Sequence, residues 1–382
     1  MIRFAIALFA ALATSTVLAG PAQANGSAFQ DELSPIVIAV EAPITGSQAS
    51  NGRDILRGVR LAVREANARG GVLGRRVRLM RANDRGERSL AKRVARRVIR
   101  RDAVAVVGPY NSSVGIVNLP VYLRNRVVPV HLTSTDETKG EGVTVQPKNS
   151  QIAPIEENYI AGTGADRVTM LVDDTANGAF TVGMADRLSR RLAQHDIEVT
   201  RVSVKEAGDV SGDYYATKVA EALSTQPDLL YVSTYYAEGV AIAKALAASA
   251  SDVPCLMGLA NVDPAFISSA GLEVSRQCRF SGIPAAGQLL SARPFARRYG
   301  RTFRAQPGVW GVFAYDSAKL LFSKMQLTGT TAFGPVLDAL RRTKGYRGAT
   351  GTITIDPRTG YRRNLPVSIL RVNGKRQFVV AR

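Results

Sequence analysis

The stretch VRLMRANDRGERSLAKRVARRVIRRDAVAVVGPYNSS, Val77–Ser113, carries the pattern on which the fold turns. Val77–Met80 is a short strand-like run. From Ser89 to Arg101 the residues Leu90, Ala91, Val94, Ala95, Val98 and Ile99 recur at helical spacing, and Arg88, Lys92, Arg93, Arg96, Arg97, Arg100 and Arg101 fall between them. Ala103–Val107 is apolar without alternation, as expected of a strand covered on both faces. Strand, helix, strand is the repeat of parallel α/β sheets.

The same alternation extends both ways. Ile36–Val40 reads as a strand, Ala42–Asn51 as a turn-rich segment, and Asp54–Asn67 as a helix with Ile55, Val59, Ala62, Val63 and Ala66 inward. Gly70–Gly71 stop that helix. Further strands are expected at Val128–Val130, Arg167–Val172, Glu198–Val204, Leu229–Val232 and Val253–Met257. The tail gives a strand at Thr350–Ile355, then a hairpin of Val367–Val372 and Gln377–Val380 turning at Asn373–Gly374. So many strands exceed one comfortable doubly wound sheet, and two α/β lobes are expected.

The N-terminus fixes an expectation of export. Arg3 precedes the apolar run Phe4–Leu18, and Ala22–Gln23–Ala24 supplies a small-residue cleavage site, so residues 1–24 read as a signal peptide. No Cys stands there to carry a lipid, so a soluble periplasmic or secreted product without a lipid anchor is expected. Export permits a disulfide between Cys255 and Cys278, the alternative being two buried thiols.

With 50 Lys+Arg against 31 Asp+Glu, the formal charge is +19. The cations lie on solvent faces of amphipathic helices, as at Arg187, Arg190 and Arg191, and no aromatics interleave with them. That placement, with export, excludes nucleic acid as the partner. Two His and two Cys argue against a Cys/His metal site and against Cys-His or Ser-His catalysis. No Walker A loop, G-x-G-x-x-G after the first strand or H-E-x-x-H is present. His131 at a strand end is the one imaginable base, and His195 sits in a polar helix end. A non-catalytic binding protein without cofactor is expected.

Ligands of open α/β sheets sit beyond the carboxyl ends of the strands. Three loops there carry chemistry. Gly108–Ser113 places Ser112 and Ser113 where a helix begins, and unpaired N–H groups favour an anion there. Thr133, Ser134 and Thr135 follow the next strand. Ser233–Tyr236 brings Tyr235 to a strand end, able to wall a pocket and present a hydroxyl.

On these residues the chain resembles the type I periplasmic solute-binding proteins of the branched-chain amino acid group, receptors of ABC importers. The resemblance runs from Ile36 to Val380, through APITGSQASNGRDILRGVRLAVREANARGGVLG, VAVVGPYNSS, VVPVHLTST, PDLLYVSTYY, FAYDSAKLL and TGTITIDPRTG in family order. It implies two Rossmann-like lobes, joined by three crossover strands and closing by hinge motion. The first lobe would be 25–148 plus 283–365, and the second 149–282 plus 366–382. The Ser112 and Thr133–Thr135 loops match positions that hold an amino acid's carboxylate and ammonium, and Tyr235 matches an aromatic that packs on the ligand. Partners implied are a small-molecule ligand and an inner-membrane permease, with the receptor a monomer. A periplasmic sensor feeding a membrane signalling protein is the alternative.

Three departures bear on the ligand. Asn51 precedes Gly52 where the family often has an aromatic, and Asn177 precedes Gly178 at a corresponding place in the second lobe. The acid that commonly neutralises the ammonium aligns near Ala260–Asn261, and Asp263 is the nearest carboxylate, with Asp174 and Glu238 as other candidates. These departures suggest a polar pocket, for a polar amino acid, an amide or a small carboxylic acid.

Overall fold

The computed structural model describes Met1 and residues 34–381; the expected signal peptide lies outside the described residues. From Ser34 onward the chain forms one compact unit. Its elements begin with β1 (Ile36–Ala42), α1 (Ala49–Asn67), β2 (Val77–Asn83), α2 (Ala91–Ile99), β3 (Ala105–Val107), α3 (Ser112–Arg124), β4 (Val128–His131) and β5 (Val143–Thr144). There follow α4 (Asn149–Ala161), β6 (Arg167–Asp173), α5 (Ala179–Leu192), β7 (Glu198–Val204), α6 (Tyr214–Ser224), β8 (Leu229–Ser233), α7 (Tyr236–Ala248) and β9 (Cys255–Met257). Next are α8 (Pro264–Ala270), α9 (Leu272–Gln277), β10 (Cys278–Gly282), α10 (Arg293–Phe303), α11 (Val309–Thr328) and α12 (Phe333–Arg341). Four strands end the chain: β11 (Tyr346–Gly348), β12 (Gly351–Ile353), β13 (Ser368–Val372) and β14 (Phe378–Val380).

Two main sheets result. The first is all parallel, in the order β2-β1-β3-β4-β5. The second runs β14-β13-β10-β9-β8-β6-β7. Its five strands β7-β6-β8-β9-β10 are parallel and repeat the first sheet's order, while β13 and β14 add an antiparallel edge. Each sheet therefore has a switch point, between β1 and β3 in one and between β6 and β8 in the other. Crevices form there beyond the strand carboxyl ends.

Helices α10 to α12 return to the first sheet, α11 lying along α1 and touching β3 and β4. The approach of α1 to α11 depends on Gly58, where an added Cβ would stand 2.0 Å from the Gly311 carbonyl oxygen. Helix α1 starts at Ala49, inside the segment read as turn-rich, because tertiary packing overrides its composition. A Cβ at Gly52 would meet the Pro43 carbonyl oxygen at 2.0 Å, so only glycine lets the first turn fold back on that loop.

The final hairpin pairs Val372 with Phe378, so its loop is longer than a two-residue Asn-Gly turn. Arg376 adopts φ 56° there, and Asn373 Oδ1 accepts from the N–H groups of Lys375 and Gln377. On neighbouring β9 and β10 the register sets Cys255 against Cys278, their Cα atoms 4.8 Å apart and their sulfurs bonded.

Candidate ligand-binding site

The loops beyond both switch points line a pocket with about 230 Å³ of space free of protein atoms, part of it open to solvent. The first sheet's side supplies Tyr110 and Ser112 from the turn after β3, Leu132, Ser134 and Gln146 around β4 and β5, and Trp310 from α11. The second supplies Phe180 in α5, Tyr235 after β8, and Leu259 and Ala260 after β9.

Four aromatic rings are part of the wall. Trp310 meets Tyr110 edge-on with centroids 5.2 Å apart, Tyr110 stands 6.5 Å from Tyr235, and Tyr235 stands 6.0 Å from Phe180. The polar pocket expected from Asn51 and Asn177 is not what these residues form. Asn51 is buried and donates from Nδ2 to the Tyr110 hydroxyl at 3.2 Å. Asn177 stands at the rim, where its Oδ1 accepts from the Arg88 N–H at 2.9 Å and its Nδ2 donates to Glu206 at 2.7 Å.

The polar groups on the cavity are mainly unsatisfied donors. No side chain caps α3 at Asn111. Among the described residues the first-turn N–H groups of Ser112, Ser113 and Val114 find no acceptor, the Gly115 N–H being the first to bond back, to Asn111. Ser112 Oγ accepts from the Thr135 N–H at 3.2 Å, which leaves its own hydrogen free. Ser134 differs, since its hydroxyl already donates to the Pro147 carbonyl at 2.8 Å. The Tyr235 hydroxyl and the Trp310 indole N–H are buried without partners, as is Ser113 Oγ. Burial raises the Tyr235 hydroxyl's pKa, with the Asp173 charge adding to it, so it stays protonated and a donor. The opposite polarity appears at Gln146. Its Nε2 donates to the Leu132 carbonyl and to Ser134, and its Oε1 has no partner.

The remaining sequence candidates take other places. Thr133 is buried, its hydroxyl shared between His131 Nδ1 at 2.9 Å and Thr138 at 2.7 Å. His131 is itself buried, and burial and the nearby Lys148 hold its pKa well below the usual value. Thr135 caps the turn Asp136–Thr138, accepting from the Glu137 N–H at 3.4 Å. Asp263 caps α8 through the Ala265 N–H at 2.6 Å and accepts from Ser50 at 3.1 Å, tying α8 to α1. Burial raises its pKa, and its charge adds to the burial that brings Asp54 to about 6. Glu238 bonds the Ala207 N–H, and Asp174 is exposed beside Ser203.

Across the two sides of the pocket run the Ser50–Asp263 and Arg88–Asn177 bonds and an Arg187–Asp136 ion pair at 2.8 Å. Among the described residues no cluster of His, Cys, Asp or Glu is placed to hold a metal ion. Also among them, no helix is long and apolar enough to cross a membrane.

Sequence reasoning assigned no role to Tyr110, Leu132, Gln146, Phe180, Leu259 or Trp310, and named Ala260 only as a place near which an acid would align. Tyr110 was within reach, because it sits in the same loop as Ser112. Trp310 is the chain's single tryptophan, yet only the helix running on from it distinguishes it in sequence.

Comparison with known proteins agrees with this architecture. The model of a family described as periplasmic binding protein matches residues 35–377. A Leu/Ile/Val-binding protein homolog of Brucella abortus is 24% identical over 347 residues, spanning 87% of this chain and 88% of its own. A leucine binding protein of Thermotoga maritima superposes with a TM-score of 0.81 at 22% identity, over 90% of this chain and 98% of its own. A solute binding protein of an ABC transporter from Rhodopseudomonas palustris, in complex with 3,4-dihydroxy benzoic acid, gives 0.79 at 19% identity, over 91% and 96%. At such identities the structural likeness speaks for the fold alone. The family match covers nearly all of the described chain, and the chain belongs to the periplasmic binding proteins, in their type I, branched-chain amino acid branch, a family of solute-binding proteins and not of enzymes.

Proposed function

We propose that the protein is an exported receptor that closes two lobes on a small carboxylate with an apolar body and delivers it to an ABC permease in the inner membrane. The lobes are those bounded in the sequence, 25–148 with 283–365 and 149–282 with 366–382. One observation carries the reading: unsatisfied donors gather at one aromatic cavity. These are the uncapped start of α3, the Ser112 hydroxyl, the Tyr235 hydroxyl and the Trp310 N–H. Each buried polar group left unpaired costs about 1–3 kcal/mol. A carboxylate supplies acceptors for several at once, in the positive field of a helix N-terminus.

The names of related proteins are compatible with two kinds of cargo: leucine and its relatives, or an aromatic acid such as 3,4-dihydroxy benzoic acid. Both kinds bring a carboxylate and an apolar body.

The test is a thermal-shift screen of the mature protein, freed of bound ligand by unfolding and refolding. A ligand at about 100 times its Kd adds ~2.7 kcal/mol of stability. Ser112→Ala should weaken binding of the best carboxylate by roughly tenfold or more, the value of one hydrogen bond to a charged group. If no carboxylate shifts the melting temperature, the receptor reading fails.

A further inference from the structure

The donors just described account for one end of a ligand. The rest of the cavity says what else that ligand carries. Beyond Ser112 and Ser134, its walls are the rings of Tyr110, Phe180, Tyr235 and Trp310, the aliphatic Leu132, Leu259 and Ala260, and the amide of Gln146. Among the described residues no carboxylate lines it. The nearest acid named from sequence, Asp263, has Oδ1 committed to the Ala265 N–H and the Ser50 hydroxyl, in a contact that joins α8 to α1. Ala260, not an acid, occupies the wall after β9.

A primary ammonium in such a cavity would need three acceptors and a countercharge, and a charge buried without a partner is among the costliest groups in a protein. Besides hydroxyl oxygens, what the lining offers is one neutral amide acceptor, Gln146 Oε1, buried and unpartnered. Its identity as oxygen is set by its companion Nε2, which faces the Leu132 carbonyl, an acceptor only. An unpaired amide oxygen among aromatic walls, with no carboxylate beside it, fits one neutral donor on a flat apolar body.

Resting on the receptor reading above, we infer that the ligand is an ammonium-free aromatic carboxylate bearing a hydroxyl. Its carboxylate meets the start of α3, Tyr235 and Trp310, its ring lies among the four aromatic side chains, and its hydroxyl donates to Gln146 Oε1. Ala260 sets this choice, because it leaves the wall after β9 without a negative charge.

The experiment uses matched pairs that differ only in the amino group: L-phenylalanine with 3-phenylpropionate, and L-leucine with 4-methylpentanoate. Benzoate, 4-hydroxybenzoate and glycine betaine are added. Calorimetric titration of the refolded mature protein at neutral pH reads the affinities. The amino-free member of each pair should bind at least tenfold more tightly, and 4-hydroxybenzoate more tightly than benzoate. Ala260→Asp should invert the ranking within the pairs, and the wild-type ranking stands as a test even if that variant does not fold.

Tighter binding of phenylalanine or leucine than of its amino-free partner overturns the inference and leaves the receptor reading intact. So does preference for glycine betaine, which would make the rings a cage for a quaternary cation. Benzoate equal to or tighter than 4-hydroxybenzoate removes the hydroxyl from the inference. Silence of every carboxylate removes the receptor reading and the inference together.

Discussion

Tyr235→Phe removes one oxygen and keeps the ring, and the structure predicts effects of opposite sign on stability and on binding. In the ligand-free protein the Tyr235 hydroxyl is buried without a partner. Asn111 lies near enough to favour the phenolate, but its Nδ2 donates to Gln48 at 2.8 Å and its Oδ1 is unpartnered, so it makes no formed bond to the hydroxyl. Deleting a buried unsatisfied hydroxyl recovers a desolvation cost of about 1–3 kcal/mol. The lower end applies here, because Asn111 Oδ1 remains unpaired in the variant. For a domain of 150–250 residues each kcal/mol moves the melting temperature by about 2–4 °C. A rise of about that size is therefore expected in protein stripped of ligand. With a carboxylate bound, the same hydroxyl makes a charge-assisted bond worth about 1.5–3 kcal/mol, so affinity should fall roughly 10- to 100-fold. Scanning calorimetry without ligand and titration calorimetry with the best carboxylate read the two effects separately. A lower melting temperature in the ligand-free variant would mean that the hydroxyl is satisfied by Asn111. Unchanged affinity would mean that it does not face the ligand. Either result refutes the reading of Tyr235 as a donor waiting for an anion.

Burial raises Glu156 from 4.5 to about 7, against the hydrogen bonds it accepts from Ser281 and Tyr231. The folded state therefore keeps a proton that the unfolded chain releases, giving stability that is full below about pH 4.5 and lost as pH rises through 7. Glu156→Gln should flatten the decline in unfolding free energy between pH 5 and 7.5, on the order of 3 kcal/mol, in urea titrations; an unaltered decline would place that proton elsewhere. Replacing Cys255 and Cys278 together by Ser opens a link across 23 residues of sequence and should cost about 3 kcal/mol, read as a lower urea midpoint. An unmoved midpoint would mean the pair contributes no cross-link to the native protein. Gly58→Ala drives a methyl into the Gly311 carbonyl oxygen and should cost more than the roughly 1–3 kcal/mol typical of overpacking. A melting temperature equal to wild type would show that α1 and α11 are not in close contact in solution.

What sequence could and could not show follows from which forces set each feature. Strands such as Ala105–Val107 and Leu229–Ser233 were readable because a sheet covered on both faces needs continuous apolar runs, a local signal. The two-residue β5 and the start of α1 were not, because one rests on pairing with β4 and the other on Gly52 approaching Pro43. The donor-rich half of the site was partly legible. Ser112 stands at a helix start after a strand, and that pattern alone marks exposed N–H groups. The other half was misjudged. Asn51 and Asn177 were weighed by chemical type, yet in the fold the Nδ2 of Asn51 is spent on Tyr110, with its Oδ1 buried and unpaired, and Asn177 is spent on Arg88 and Glu206. The pocket's character comes instead from Trp310 and Phe180, brought together from α11 and α5 by the packing of separate sheets. A polar side chain's identity is written in the sequence, but whether it is spent on the protein or left for a ligand depends on partners far away in the chain. Ser134 and Ser112 show this most plainly. Both are cavity serines after strands of the first sheet, but Pro147 takes the hydrogen of one, and among the described residues none takes that of the other. On the receptor reading proposed above, the second is the one left for a ligand's carboxylate, and a search for the ligand should begin from its unspent hydrogen.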